Sequence, residues 1–179
     1  MRIISGKYRG RKIPVPSGFK ARPTTDFARE GLFNILSNQI DFDELKVLDL
    51  FGGTGSISFE FASRGAKRID YVESDARSCT YLSKTKSLLG INNIFIHRSD
   101  VFRFLNRTSM VFDIIFADPP YELELIPDIP GTILDSGLLD SEGIFILEHG
   151  KKHSFSSHPG FREIRKYGSV HFSFFSPIQ

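Results

Sequence analysis

The tetrapeptide Asp118-Pro119-Pro120-Tyr121 follows an apolar run, Ile114 to Ala117. Proline has no N–H to give a sheet ladder, so the run reads as a buried strand that must stop here. The stop brings together a carboxylate, proline carbonyls that no ladder consumes and a flat aromatic face. That set suits the exocyclic amine of a nucleobase. Such an amine is a poor nucleophile because its lone pair is delocalised into the ring. Hydrogen bonds from its N–H groups to Asp118 and a proline carbonyl would favour the pyramidal nitrogen of a transition state, while Tyr121 stacks on the base. The bland alternative is a turn with a surface tyrosine.

Asp118 is the last of four acids at or just after the ends of successive apolar runs, the others being Asp49, Glu73 and Asp100. One acid after a strand is usually a helix cap, and Asp75 and Asp100 suit that role too. Four in series point to a ligand at the carboxyl edge of a parallel sheet. After Asp49 comes Phe51-Gly52-Gly53-Thr54-Gly55, a loop in which glycines permit close approach to backbone. A dinucleotide fingerprint needs a further glycine three residues after Gly55, and Ser58 stands there. With Asp49 beside it, the loop favours a ligand without phosphate and with positive charge. S-adenosylmethionine (AdoMet), which carries a sulfonium and an ammonium, fits. Glu73 is placed for the ribose hydroxyls and Asp100 for the adenine amine, because ionised carboxylates only accept.

The elements that must position these residues alternate. "RPTTDFAREGLFNILSN" predicts a helix capped by Thr24, Thr25 or Asp26, with Phe27, Leu32, Phe33 and Leu36 on its apolar face. "KVLDLF", "RIDYVE", "IFIH", "VFDIIFA" and "GIFILEH" predict five strands. Helical segments separate the first four, and residues 125–140 hold helix or turn. "FREIRKYGSVHFSFF" predicts two antiparallel strands around Gly168. The pattern implies right-handed βαβ units and a mostly parallel sheet.

The 179 residues suit one domain, with no apolar run of membrane-spanning length and a single cysteine, Cys79. A cytoplasmic protein is expected. Charge is uneven: residues 1–29 carry eight Lys/Arg against one acid, residues 30–150 ten against nineteen, and residues 151–179 five against one. "RIISGKYRGRKIPVP" reads as two short strands around Gly6 and Gly10, a basic hairpin arm over residues 1–23 preceding a domain at 24–179. A polyanion is the expected partner of the arm.

The segments "SGKYRGRKIPVP", "RPTTDFAREGLFN", "DLFGGTGS", "YVESD" and "FADPPY" resemble the RsmD family of AdoMet-dependent 16S rRNA guanine-N2 methyltransferases, within the class I methyltransferases. The resemblance runs from the start of the chain through Tyr121. It implies a Rossmann-like α/β fold with a seven-stranded sheet, order 3-2-1-4-5-7-6 and the last-numbered strand antiparallel. It implies methylation of a guanine N2 in 16S rRNA, on a partly assembled small subunit. A monomer without metal is expected. Cofactor contacts are expected from Asp49, Phe51, Gly52, Gly53, Gly55, Glu73, Ser74, Asp100, Val101 and Asp118. Catalysis is expected at Asp118, Pro119, Pro120 and Tyr121. RNA contacts are expected from Lys7, Arg9, Arg11, Lys12, Arg22, Thr24 and Thr25. One departure is Gly52, where many relatives have alanine.

Other readings stay open. DNA adenine-N6 methyltransferases also use Asp-Pro-Pro-Tyr, although no inserted recognition domain is visible. A non-catalytic RNA-binding assembly protein would not need the acids. An NAD-dependent reductase is more distant. His149, His153 and His158 read as surface histidines, and Cys79 as a small core residue. "KKHSFSSHPGF" is short for a further crossover helix, and its structure stays open.

Overall fold

The computed structural model describes residues 1–16 and 25–178. Its sheet has seven strands: β1 Lys46–Leu50, β2 Arg68–Glu73, β3 Ile94–Arg98, β4 Phe112–Ala117, β5 Leu139–His149, β6 Phe161–Tyr167 and β7 Val170–Phe175. Their order is β3-β2-β1-β4-β5-β7-β6. Only β7 runs antiparallel to its neighbours, so β6 points the same way as β1 to β5. The expected topology is therefore present, including the reversed last strand.

Helices α1 Asp26–Gln39, α2 Ser56–Arg64, α3 Ala76–Leu89, α4 Val101–Leu105 and α5 Ile129–Leu134 cover the sheet, with a 3-10 turn at Ile126–Asp128. The central strands are apolar on both faces, as parallel strands under two helical layers must be. One core packs α1, α2 and α3 against Val47, Ile69 and Phe116; the other packs α4 and α5 against Leu48, Ile115 and Phe145. Cys79 belongs to the first core, as expected. Residues 150–160 form turns rather than a helix.

Three details differ from expectation. Thr25 caps α1, accepting from the Ala28 amide at 3.2 Å, but Phe27 is 71% exposed. Phe27 lies about 100° around the helix from the buried Ala28-Leu32-Leu36 stripe. His149 is fully buried rather than at the surface, because β5 extends alongside β7 and pairs it with His171. Its Nε2 lies 2.8 Å from Ser173 Oγ and its Nδ1 2.9 Å from Gly150 O. Burial lowers its pKa, so the ring is neutral, Nδ1–H donates to Gly150 and Nε2 accepts from Ser173.

The third difference concerns the arm. Its two predicted strands reduce to one antiparallel bridge, Arg2 to Lys12, with turns between. Ile3 and Ile13 are buried in the first core. The Ile4 amide donates to Glu60 Oε1 at 2.7 Å, and Arg29 Nη2 donates to Arg2 O at 2.6 Å. Arg29 is buried beside Glu60, which also pairs with Arg64. Arg29, counted in the sequence with the basic arm, is thus an internal strut that satisfies arm backbone and is closed to an external phosphate.

Candidate active site

The first loop leaves β1 by a tight path. Phe51 adopts φ 59°, a left-handed conformation uncommon for a residue with a side chain. At Gly52 an added Cβ would stand 2.2 Å from the Tyr71 ring, so alanine, expected from relatives, does not fit this packing. The Tyr71 hydroxyl donates to Gly53 O at 2.7 Å, and the Gly53 amide donates to Glu73 Oε2 at 3.1 Å. A neighbouring strand therefore holds the loop from both sides.

Asp49 is buried within β1 and accepts from the Ser58 amide at 3.1 Å and from the Ser58 hydroxyl. Burial raises its pKa to about 7 despite those donors, and the charge on Glu73 adds to the rise. A cation beside it would draw out the ionised form. Glu73 offers fewer free positions than the sequence suggests. Its oxygens already accept from the Gly53 amide, the Asp75 amide at 2.8 Å and the Ser74 hydroxyl at 3.2 Å. A carboxylate has about four acceptor positions, so a bidentate grip on a ribose requires Ser74 Oγ to turn away. Asp100 caps α4, accepting from the Arg103 amide at 2.9 Å, and is exposed; Val101 behind it is buried. Capping leaves acceptor capacity on Asp100 at the edge where β3 ends.

Asp118 emerges one residue beyond the pair Leu50–Ala117, and its amide donates to Leu50 O at 3.3 Å. On its other side Ala117 pairs with Leu147, which sets Glu148 at the same level. Three acids, Asp49, Asp118 and Glu148, thus sit at the carboxyl ends of the adjacent strands β1, β4 and β5. Burial first, then the charges of Glu148 and Asp49, push the Asp118 pKa well above the usual carboxylate range.

The prolines divide their roles. Pro119 is buried and Pro120 exposed. Pro120 O accepts from the Leu123 amide at 2.8 Å, whereas Pro119 O accepts from no described residue. Of the two, Pro119 O is the carbonyl with no donor among the described residues. Tyr121 is 42% exposed, its hydroxyl donates to Glu148 Oε1 at 3.3 Å, and its ring lies against the bare Cα face of Gly150. Burial and the nearby carboxylates raise the phenol's pKa, so it stays protonated and donating.

Glu148 escaped the sequence reading. It is only 3% exposed, its charge acts on Asp118, and it accepts from the Tyr121 hydroxyl. The signal was present: "FILEH" carries an acid at the end of a predicted strand, as the other four runs do.

The arm's basic turn does not meet these residues. Lys7 and Tyr8 bind Ser63, near the end of α2 that faces the amino edge of the strands. Lys7, Arg9, Arg11 and Lys12 are exposed. Thr25 lies at the start of α1 and is exposed. Arg22 and Thr24 lie outside the described residues.

A family model described as Conserved hypothetical protein 95 matches residues 1–176. The chain is 35% identical over 148 residues to the Ribosomal RNA small subunit methyltransferase D of Escherichia coli K12, covering 83% of this chain and 74% of that protein. The solved structure of a hypothetical protein from Thermus thermophilus superposes with a TM-score of 0.86 at 29% identity, covering 98% of this chain and 99% of that one. A SAM Dependent Methyltransferase from Agrobacterium tumefaciens shares the fold, with a TM-score of 0.65 at 22% identity over 83% of this chain and 62% of that one.

Proposed function

This chain belongs to the Conserved hypothetical protein 95 family, and from that premise we propose that it is an AdoMet-dependent rRNA methyltransferase acting on the N2 amine of a guanine in 16S rRNA, on a partly assembled small subunit. The observation that carries the reading is the meeting of Asp118, the Pro119 carbonyl, which has no donor among the described residues, and the Tyr121 ring at the ends of β4 and β5.

The residues suit the cofactor. Buried Asp49 lies where a cationic ligand would ionise it, Glu73 keeps an acceptor for a ribose hydroxyl, and the Gly52–Gly53 backbone lies between them. When bound, AdoMet supplies an electrophilic methyl group on a sulfonium. The chain's own residues then act on the amine. An extruded guanine stacks on Tyr121, whose hydroxyl is tethered by Glu148. Its two amine hydrogens point to ionised Asp118 and to Pro119 O, which localises the nitrogen lone pair toward the methyl group. After transfer the nitrogen carries an extra proton, and Asp118, with its raised pKa, accepts it.

Transfer of labelled methyl from AdoMet to small subunits isolated from cells lacking this protein tests the reading, with nucleoside chromatography of the digested RNA. N2-methylguanosine is expected. Methyladenine in DNA, or no transfer at all, would give the activity to one of the other readings. Asp118→Ala should slow single-turnover transfer about 100-fold or more, as loss of a positioned proton acceptor does, with AdoMet affinity little changed.

A further inference from the structure

At the strand edge that carries Asp118 and Tyr121, the sheet continues past Glu148 to His171 at the start of β7 and Tyr167 at the end of β6. Three strand spacings, roughly 14 Å in all, separate β4 from β6. Phe27 stands over this far corner, 71% exposed, its ring meeting Tyr167 edge-on at 5.7 Å. Gly31, one turn further along α1, makes the room: a Cβ there would lie 2.2 Å from the Tyr167 ring. Tyr167 in turn packs on Phe172. The result is an outward Phe27 ring outside the core, footed on Tyr167, which does pack against the core.

The same strand edge is basic where it turns to the other face of the sheet, since Lys166 and its partner His171 alternate with Tyr167 and Phe172. Lys151, Lys152 and Lys166 are exposed, and none joins an ion pair with a described residue. Lys166 stands opposite His171, and Lys151 and Lys166 both lie close enough to depress that ring's pKa. Of the nearby acids, Asp26 pairs with Arg29 and Glu163 with Arg165, while exposed Glu30, next to Gly31, joins no ion pair with a described residue and stands as one acid against the three lysines. An aromatic platform with unpaired lysines across the same strand edge suits a single-stranded nucleic acid wrapping that edge, with bases stacking and phosphates neutralised.

Resting on the rRNA reading above, we propose that this corner holds the single-stranded RNA flanking the target nucleotide, with one unpaired base on Phe27 and the backbone along Lys151, Lys152 and Lys166. The strand would thereby run from the catalytic end of β4 across β5 and β7 to β6. This surface is distinct from the arm, whose basic turn lies at the opposite edge of the sheet.

Filter binding of a small-subunit rRNA transcript tests it over roughly 50–200 mM salt. Phe27→Ala should weaken binding about tenfold. Replacing Lys151, Lys152 and Lys166 together by alanine should lower the slope of log affinity against log salt by about two. Thermal melting and AdoMet calorimetry should match the parent in both variants, since these residues lie outside the core and the cofactor loops. Parent-like binding by both variants overturns the proposal. So does normal binding to the transcript with lost binding to assembled particles, which would make the corner a protein contact. Methyl transfer by the parent is measured alongside; its absence sinks the methyltransferase reading while the RNA comparison still decides this one.

Discussion

The Tyr121 hydroxyl donates to Glu148 Oε1 at 3.3 Å, joining the residue after the proline pair to the acid at the end of β5. With Gly150 beneath the ring, this bond sets the plane on which a base would stack. Tyr121→Phe keeps the face and loses one long hydrogen bond, at a cost of about 1 kcal/mol. Tyr121→Ala loses stacking of ~1–3 kcal/mol. Half-saturating RNA concentrations in single-turnover methylation should rank parent, Phe, Ala; equal values for Phe and Ala would deny the ring its role.

Glu148 also bears on pH dependence. Burial is the main cause of Asp118's raised pKa, with Glu148's charge next and Asp49's after it. Asp118 must be ionised to accept from the amine, so the rate should fall as pH drops through that raised pKa. Glu148→Gln removes one like charge and should move the acid limb to lower pH, while its amide oxygen still accepts from Tyr121. An unmoved limb would mean the two carboxyls do not interact.

Asp49 makes opposite demands on stability and binding. Its folded pKa of about 7 lies above the ordinary 3.8, so the apo protein loses stability as pH rises from about 4 to 7. Asp49→Asn should be more stable than the parent at pH 8, by at most about 4 kcal/mol, with the gap closing toward pH 4. A cationic cofactor needs the ionised form. AdoMet affinity of the parent should therefore decline as pH falls below about 7, and Asp49→Asn should bind weakly with little pH dependence. Paired thermal melts and calorimetry across that range would expose a failure of either sign.

The arm separates into anchor and cargo. Ile3→Ala or Ile13→Ala should cost roughly 2–5 kcal/mol of stability, as buried isoleucines do. Alanine at Lys7, Arg9, Arg11 and Lys12 together should leave melting unchanged and weaken the salt dependence of RNA binding. Deleting the arm would confound the two, because it strips Arg29 and Glu60 of the Arg2 carbonyl and Ile4 amide that they bind. A large melting shift in the charge variant would show that the basic side chains also hold the fold.

By itself the sequence determined the strand and helix series, the closing antiparallel pair and the row of acids at the strand ends. Those features follow from period, turn residues and chain order, which are local. The strand order 3-2-1-4-5-7-6 came through the family resemblance, because pairing of distant segments is not a local property. Tertiary structure alone decided which side chains lose their water. Pairing of β7 alongside β5 buried His149, and the separate register of β5 on β4 set Glu148 beside Asp118. The fit of the arm on α2 turned Arg29 inward, and the gap at Gly31 left Phe27 outside over Tyr167. Charge, burial and hydrogen-bond supply are sums over neighbours from distant parts of the chain, so residue type and spacing could not give them.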